Sequence, residues 1–253
     1  MIELLNVKTE YSYGETFSFP KISFEEGKLT TIIGRNGSGK STLLKTIAGL
    51  RPYSGSIKID GKECRTLPPK ERARKIAYLP QTLRNANIDV ETLVSHGRYP
   101  WHGSLRKLSE KDLLQVEKAL EITDMKEYRE RSLPELSGGE RQRAYLAMVI
   151  AQDAPMILLD EPTTFMDMAV QKSFYNILRR LIGEGHGIIM VCHNIEQSFS
   201  CSDTVCLLNK RTLEVQCAPD KLIKDEALLR DVFGATFVKT DDERLLYPYA
   251  AVK

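Results

Sequence analysis

The stretch from Gly34 to Thr42 constrains this chain more than any other. It reads Gly34-Arg35-Asn36-Gly37-Ser38-Gly39-Lys40-Ser41-Thr42, a G-x-x-x-x-G-K-S pattern. Thr30 to Ile33 before it is an apolar, β-branched run of the kind found in buried strands. Leu43 to Ala48 after it has the spacing of a helix start. Strand, glycine loop and helix in that order form a phosphate cradle. The glycines let the backbone curl so that successive N–H groups point at phosphate oxygens. The helix end adds partial positive charge behind them. Lys40 is placed for β/γ-phosphates, and the Ser41 hydroxyl for Mg²⁺. The chain is therefore expected to be an α/β protein that binds a nucleotide.

Two further stretches carry chemistry. Met156 to Leu159 is a continuous apolar run closed by Asp160 and Glu161, as in a central parallel strand with acids at its carboxyl end. Hydrolysis at a phosphate loop needs one acid to hold the metal and a polar group to orient water. Asp160 suits the first role and Glu161 the second. Leu136-Ser137-Gly138-Gly139-Glu140-Arg141-Gln142-Arg143 places a serine hydroxyl and two glycine amides at a helix start, which makes a second anion site. One nucleotide can be gripped by both sites only if they belong to different copies of the chain.

The rest of the chain frames these sites. Ile2 to Val7 reads as a strand, and Phe17 to Phe24 as an edge-type strand interrupted at Pro20. Ser56 to Gly61 is a strand ending in an Asp-Gly turn. Together they imply a small antiparallel sheet. Ile76 to Leu79 is a short buried strand stopped by Pro80-Gln81. Residues 82 to 152 read as a helical insert, with a helix over Val90 to His96, a loop over Gly97 to Gly103, and a helix capped by Ser109 and Asp112 with a stripe of Leu113, Val116 and Leu120. Then follow a helix over Val170 to Ile182, a strand over Gly187 to His193, strands at Thr204 to Leu208 and Leu213 to Cys217, a helix over Lys221 to Phe233, and one or two short closing strands.

Composition excludes several classes. The 253 residues suffice for one large domain with a sizeable core. The net charge of +2 gives no case for nucleic acid, and the basic run Lys70 to Lys75 reads as a solvated helix face. No apolar run approaches the ~18 residues of a membrane span, and Met1-Ile2-Glu3 does not open a secretory signal. Five scattered cysteines do not form a disulfide framework and point to a reducing compartment. Cys192 and Cys206 fall inside apolar strands as core residues.

Taken together, the motifs resemble those of the nucleotide-binding subunits of ABC transporters, in which Leu-Ser-Gly-Gly-Glu-Arg-Gln-Arg is the signature sequence. The resemblance covers nearly the whole chain. It implies a P-loop NTPase fold of the ABC type, a single domain over 1–253 with a nucleotide-binding α/β core and antiparallel β subdomain (1–81 and 153–253) and a helical signature subdomain (82–152). ATP and Mg²⁺ are the implied ligands. Gly34 to Thr42 is the Walker A loop. Gln81 is the Q-loop glutamine, touching Mg²⁺ or water. Asp160 closes the Walker B strand, Glu161 is the general base, and His193 is the switch histidine on the γ-phosphate. Ser137, Gly138 and Gly139 reach the nucleotide of a second copy. The D-loop acid falls on Asp167, in a Phe165-Met166-Asp167 sequence bulkier than the family's usual small-Leu-Asp. Tyr13 resembles the aromatic that stacks on adenine, with Tyr11 as the competing position.

The stretch Val94-Ser95-His96-Gly97-Arg98-Tyr99-Pro100 is similar to that in ATPases of iron-siderophore, haem and vitamin B12 importers, as is the ending Asp231-Val232-Phe233-Gly234. Arg98, Tyr99 and Trp101 there face a partner, pack the insert or face solvent. This likeness implies a homodimer docked on transmembrane permease subunits at the cytoplasmic face of the membrane, with an extracellular substrate-binding protein as an indirect partner. The other classes are a non-transport ABC ATPase such as an iron–sulfur assembly factor, a DNA-repair ATPase, and a small-molecule kinase. A repair ATPase needs a long coiled coil that the sequence lacks, and a kinase has no use for Ser137 to Gly139. The cargo is not written in the chain.

Overall fold

Two compact units make up the chain: Met1–Arg65 with Gly187–Lys253, and Thr66–His186. The computed structural model describes residues 1–11, 14–84, 86–102, 107–164, 166–234, 236–239 and 246–249.

The first unit opens with β1 (Ile2–Tyr11) and β2 (Glu15–Phe24), paired antiparallel from Ile2 opposite Phe24 to Tyr11 opposite Glu15. The expected interruption at Pro20 does not occur. Pairing skips only Asn6 and Pro20, then resumes in the same register. What changes there is the face turned inward. Ile2, Leu4, Ile22 and Phe24 are buried on one side of this point, and Val7, Thr9, Phe17 and Phe19 on the other. Asn6 takes a left-handed φ of 50° and Pro20 has no N–H to lose, so both strands change face together. β3 (Leu29–Gly34), α1 (Lys40–Ile47), β4 (Ser54–Ile59) and β5 (Lys62–Glu63) follow. Asp60 and Gly61 join β4 to β5 as a two-residue hairpin, both at positive φ, as such turns require.

The second unit holds α2 (Pro69–Ala73), β6 (Ile76–Leu79), α3 (Val90–His96), α4 (Tyr99–His102), α5 (Glu110–Ile122), α6 (Gly138–Ala151), β7 (Met156–Asp160) and α7 (Met168–Gly183). No residue of α2 is buried, in line with a solvated basic face. β6 and β7 are parallel, with Leu79 opposite Leu159. α6 packs on α3, α5 and β6. The 97–103 segment, expected as a loop, contains the short helix α4. The stripe on α5 also differs from expectation. Val116 and Leu120 are buried, but Leu113 and Leu114 are exposed. The buried residue of the first turn is instead Asp112, which closes the capping box with Ser109 and pairs with Arg98.

The chain then returns to the first unit with β8 (Gly187–Val191), α8 (Ile195–Cys201), β9 (Thr204–Asn209), β10 (Thr212–Cys217), α9 (Pro219–Ile223), α10 (Glu226–Phe233), β11 (Thr236–Lys239) and β12 (Leu246–Tyr249). The single helix expected over 221–233 is two helices. Asp225 leaves helical geometry, and its carboxylate accepts the Leu228 N–H at 3.0 Å, capping a new start. Within this unit the strand order is β5-β4-β1-β2-β10-β9-β3-β8. β3 is parallel to both β8 and β9, as expected for a strand that feeds a phosphate loop. Ile33, Val205, Leu207, Leu222, Leu229 and Val232 form a buried cluster under it. Cys192 and Cys206 are buried, and all five cysteines are free. No described helix is long and apolar enough to cross a membrane.

One carboxylate ties β5 to β4 and the residues flanking them. Glu63 accepts hydrogen bonds from Tyr53 Oη at 2.8 Å, Ser56 Oγ at 2.7 Å and Arg65 Nε at 3.1 Å. Burial alone would raise its pKa, but the Ser56, Tyr53 and Arg65 bonds outweigh that and lower it. A lowered folded-state pKa gives stability that is present above the unfolded value and lost as pH falls through the folded one. Glu63→Gln is therefore expected to destabilise the chain by about 1–3 kcal/mol at neutral pH. The gap in thermal midpoint from wild type should narrow as pH drops below the ordinary glutamate value of 4.5, read by circular dichroism melts across pH.

Candidate nucleotide-binding and hydrolysis site

In the first unit the site begins where β3 ends. Gly34, Gly37 and Gly39 all have positive φ, at 150°, 79° and 102°. A Cβ on Gly34 would lie 2.3 Å from the Leu208 carbonyl oxygen of β9, and one on Gly39 would lie 2.4 Å from the Phe17 ring. These two glycines answer to tight neighbours as well as to φ. Gly37 faces open space, so its requirement is conformational alone. Arg35 and Asn36 lie between, and the Ser38 N–H bonds back to the Arg35 carbonyl at 3.1 Å, closing the turn.

α1 starts at Lys40, earlier than the periodicity alone placed it, so Lys40, Ser41 and Thr42 form its first turn. Its N-cap, Gly39, supplies no side-chain bond to the N–H groups of that turn. The Lys40 side chain is 5% exposed and donates to the carbonyls of Gly34 at 2.9 Å and Arg35 at 3.1 Å. The Ser38 hydroxyl is buried with no hydrogen-bond partner, an arrangement that costs stability unless an acceptor or donor reaches it. An uncapped helix end, a curled glycine loop, a buried ammonium and an orphaned hydroxyl fit a polyphosphate.

His193 belongs to the same edge. Val191 of β8 lies opposite Ile32 of β3, and the Cys192 N–H donates to the Ile32 carbonyl at 3.1 Å. Two residues on in each strand are His193 and Gly34, so the histidine and the first loop glycine leave the sheet at the same level. The His193 side chain is exposed.

In the second unit, the parallel register of Leu79 with Leu159 brings Gln81 level with Glu161. The Gln81 amide donates to Glu161 Oε2 at 2.5 Å. Glu161 has a left-handed φ of 52°, a sparsely populated conformation for a non-glycine residue that redirects the chain as it leaves β7. Asp160 is 1% exposed and accepts the Tyr78 hydroxyl at 3.2 Å. Burial first, then the Asp160 charge and hydrogen bond, raise the Tyr78 pKa, so the phenol stays a neutral donor. Sequence reading missed Tyr78, because its pairing with Asp160 spans 82 positions and leaves no local signal.

Ser137 is the N-cap of α6. Its Oγ accepts the Glu140 N–H at 3.3 Å while Glu140 Oε2 accepts the Ser137 N–H at 2.8 Å, a reciprocal capping box. The Ser137 side-chain and backbone hydrogen bonds hold the Glu140 carboxyl below its usual pKa. Ser137, Gly138, Gly139, Met166, Asp167 and Val170 line one cleft of about 380 Å³. Asp167 caps α7 by accepting the Val170 N–H at 2.9 Å. Tyr13 lies outside the described residues, as do Phe165 and the side chain of Tyr11.

The site residues thus form two constellations: the phosphate loop with His193 in one unit, and Gln81, Asp160, Glu161, Asp167 and Ser137 to Gly139 in the other. For Mg²⁺, the hydroxyl of Ser41, the amide oxygen of Gln81 and the carboxylate of Asp160 are hard oxygen donors of the type that ion takes.

The comparisons agree with this chemistry. Residues 20–164 match the ABC transporter family model. The petrobactin import ATP-binding protein FpuD of Bacillus anthracis is 40% identical over 88% of this chain and 83% of its own. The petrobactin import ATP-binding protein YclP of Bacillus subtilis is 34% identical over 98% of this chain and 99% of its own. The ferric enterobactin transport ATP-binding protein FepC of Escherichia coli is 35% identical over 87% and 82%. Among solved structures, an inward-facing metal-chelate-type ABC transporter superposes with a TM-score of 0.80 at 23% identity, covering 98% of this chain and 95% of that one. A dimeric bacterial ABC transporter cassette superposes with a TM-score of 0.75 at 25% identity, covering 87% and 99%. The fold is that of an ABC ATPase cassette, and the chain belongs to the ABC transporter family.

Proposed function

We propose that this chain is the ATP-hydrolysing, energy-coupling subunit of an importer for an iron–siderophore complex. The observation that carries the cargo class is the naming of its relatives: FpuD, YclP and FepC are ATP-binding proteins for petrobactin or ferric enterobactin. The hydrolytic step rests on Gln81 bonded to Glu161.

In this reading the backbone N–H groups of Gly37 to Ser41, with Lys40, hold the β- and γ-phosphates, and Ser38 donates its orphaned hydroxyl to one of their oxygens. Ser41, Gln81 and Asp160 take Mg²⁺, which when bound neutralises charge building on the phosphates. Asp160 is kept in place by the Tyr78 hydroxyl. Glu161 accepts a proton from the attacking water, and Gln81 fixes the orientation of its carboxylate. His193 donates to the γ-phosphate. Tyr13 stacks on adenine, and Asp167 contributes to the shared interface.

Ser137, Gly138 and Gly139 complete the site of a second copy. This assignment is supported by the presence in the chain of one helix start without a side-chain cap and another that is glycine-rich, and by the dimeric state of a solved relative. ATP held by both copies favours the closed pair, and loss of the γ-phosphate releases it. The subunit works at the cytoplasmic face of the membrane on permease subunits, with a substrate-binding protein beyond them. Copurification with a membrane protein tests that placement, and isolation as a purely soluble assembly factor would contradict it.

Glu161→Gln is expected to lower the ATP turnover number by about 10²–10⁴-fold while retaining ATP binding. Steady-state phosphate release and equilibrium ATP binding measure the two effects, and wild-type turnover would contradict the base assignment. Ser137→Arg is expected to abolish turnover with ATP affinity of the isolated chain unchanged, read by the same two assays.

A further inference from the structure

The segment Gly97-Arg98-Tyr99-Pro100-Trp101 has no part in the chemistry above, yet it holds a buried, hydrogen-bonded cation. The Arg98 side chain is 2% exposed. Its Nε donates to Asp112 Oδ1 at 2.9 Å, and its Nη1 donates to the Ala151 carbonyl at 2.7 Å. Ala151 is the last residue of α6, the helix whose first turn presents Ser137 to Gly139. The neighbouring carbonyl, that of Gln152, accepts the Trp101 indole N–H at 2.7 Å. Two carbonyls that a helix end leaves without partners are thus taken by one segment. The positive charge also lies at the negative end of the helix dipole.

Three further contacts make this a rigid seat. Gly97 runs against α6 so closely that a Cβ there would lie 2.2 Å from the Met148 carbonyl oxygen. Asp112 is held on its other oxygen by the Ser109 N–H at 3.0 Å and hydroxyl at 2.6 Å. The Trp101 ring lies under both Arg98 and Arg74, at 5.2 and 5.1 Å. The seat is tied to the strand that leads to Gln81: the Gln152 amide donates to the carbonyls of Ala73 at 2.5 Å and Ile76 at 2.9 Å. Midway along α6, the Tyr145 hydroxyl donates to the Arg84 carbonyl at 2.6 Å, just past Gln81.

We propose that Arg98 is a positioning residue that, with Gly97 and Trp101, fixes the carboxyl end of α6 against the β6–Gln81 segment and so sets where Ser137 to Gly139 meet the nucleotide. It rests on the reading of those residues as the phosphate site of a second copy. A helix of this length is a stiff rod of about 21 Å, so a displacement at Ala151 is delivered to Ser137. A misplacement of about 1 Å in a catalytic group costs about 100-fold in rate. An arginine suits this seat because its planar fork sends Nε to the carboxylate and Nη1 to the carbonyl in fixed, separate directions, which the single ammonium of a lysine does not reproduce. Asp112, whose carboxyl burial would raise but which the Ser109 and Arg98 bonds hold at about 2, stays ionised at every pH of interest.

The test compares Arg98→Lys, and Arg98→Met with Asp112→Asn, against Glu63→Gln. Glu63, bonded to Tyr53, Ser56 and Arg65 in the first unit, controls for plain loss of stability. The proposal expects both Arg98 variants to lose at least about 10-fold in kcat with KM for ATP changed by less than about 2-fold, the signature of a lost transition-state interaction. Arg98→Lys should fall between wild type and the double variant. In the Glu161→Gln background, the Arg98 variants should form less ATP-dependent dimer by sedimentation. A kcat loss no larger than that of Glu63→Gln at an equal fall in thermal midpoint would overturn the proposal. So would undiminished ATP dimer in the Arg98 variants. If Glu161→Gln alone forms no ATP dimer, the shared-site reading fails first and the proposal falls with it.

Discussion

The start of α1, whose N-cap offers no side-chain acceptor, is the constraint on which the rest of this structure depends. Among the described helices of eight or more residues, α5, α6, α7 and α10 all take a side-chain acceptor at the N-cap. α1 does not, because its N-cap is Gly39. Uncapped helix starts are costly when buried, and Lys40 and Ser38 are buried around this one. The cost is offset when an anion accepts those N–H groups. The geometry upstream follows from the same need: Gly34 must pass the Leu208 carbonyl, Gly39 must pass Phe17, and β3 must lie between two parallel strands so that its end is open.

The second helix end, at α6, is built differently. Ser137 and Glu140 already cap one another, so this start is stable on its own. That suits a surface that meets its ligand only when a partner brings it. The two helix ends therefore differ in kind: one has no side-chain cap, and the other caps itself.

Much of this was legible in the sequence because the determinants are local. The glycine loop, the apolar run ending in Asp160 and Glu161, the helix start at Ser137, the Ser109–Asp112 capping pair, and the Asp60-Gly61 hairpin each depend on a few adjacent residues. What the sequence did not show depends on distant pairing. Pro20 reads as a strand breaker, but β1 changes face opposite it and keeps the ladder intact. Leu113 reads as the first residue of a buried stripe, but Arg98 draws Asp112 inward and rotates that turn outward. The 97–103 segment reads as a loop because nothing local reveals that Arg98 and Trp101 will find the end of α6. Asp225 breaks a continuous helical pattern by capping, a choice settled by the packing of Leu229 and Val232 into the core.

The central claim is that one chain cannot complete its own site. Mixing two disabled chains tests it most directly: Lys40→Ala and Ser137→Arg, each carried in the Glu161→Gln background and examined with ATP by sedimentation. The account predicts that neither chain dimerises alone, since one lacks the phosphate grip and the other the closing surface. The mixture should form a heterodimer retaining a single ATP, because one intact loop then faces one intact Ser137. A mixture that stays monomeric, or a Ser137→Arg chain that dimerises with ATP by itself, would contradict the account.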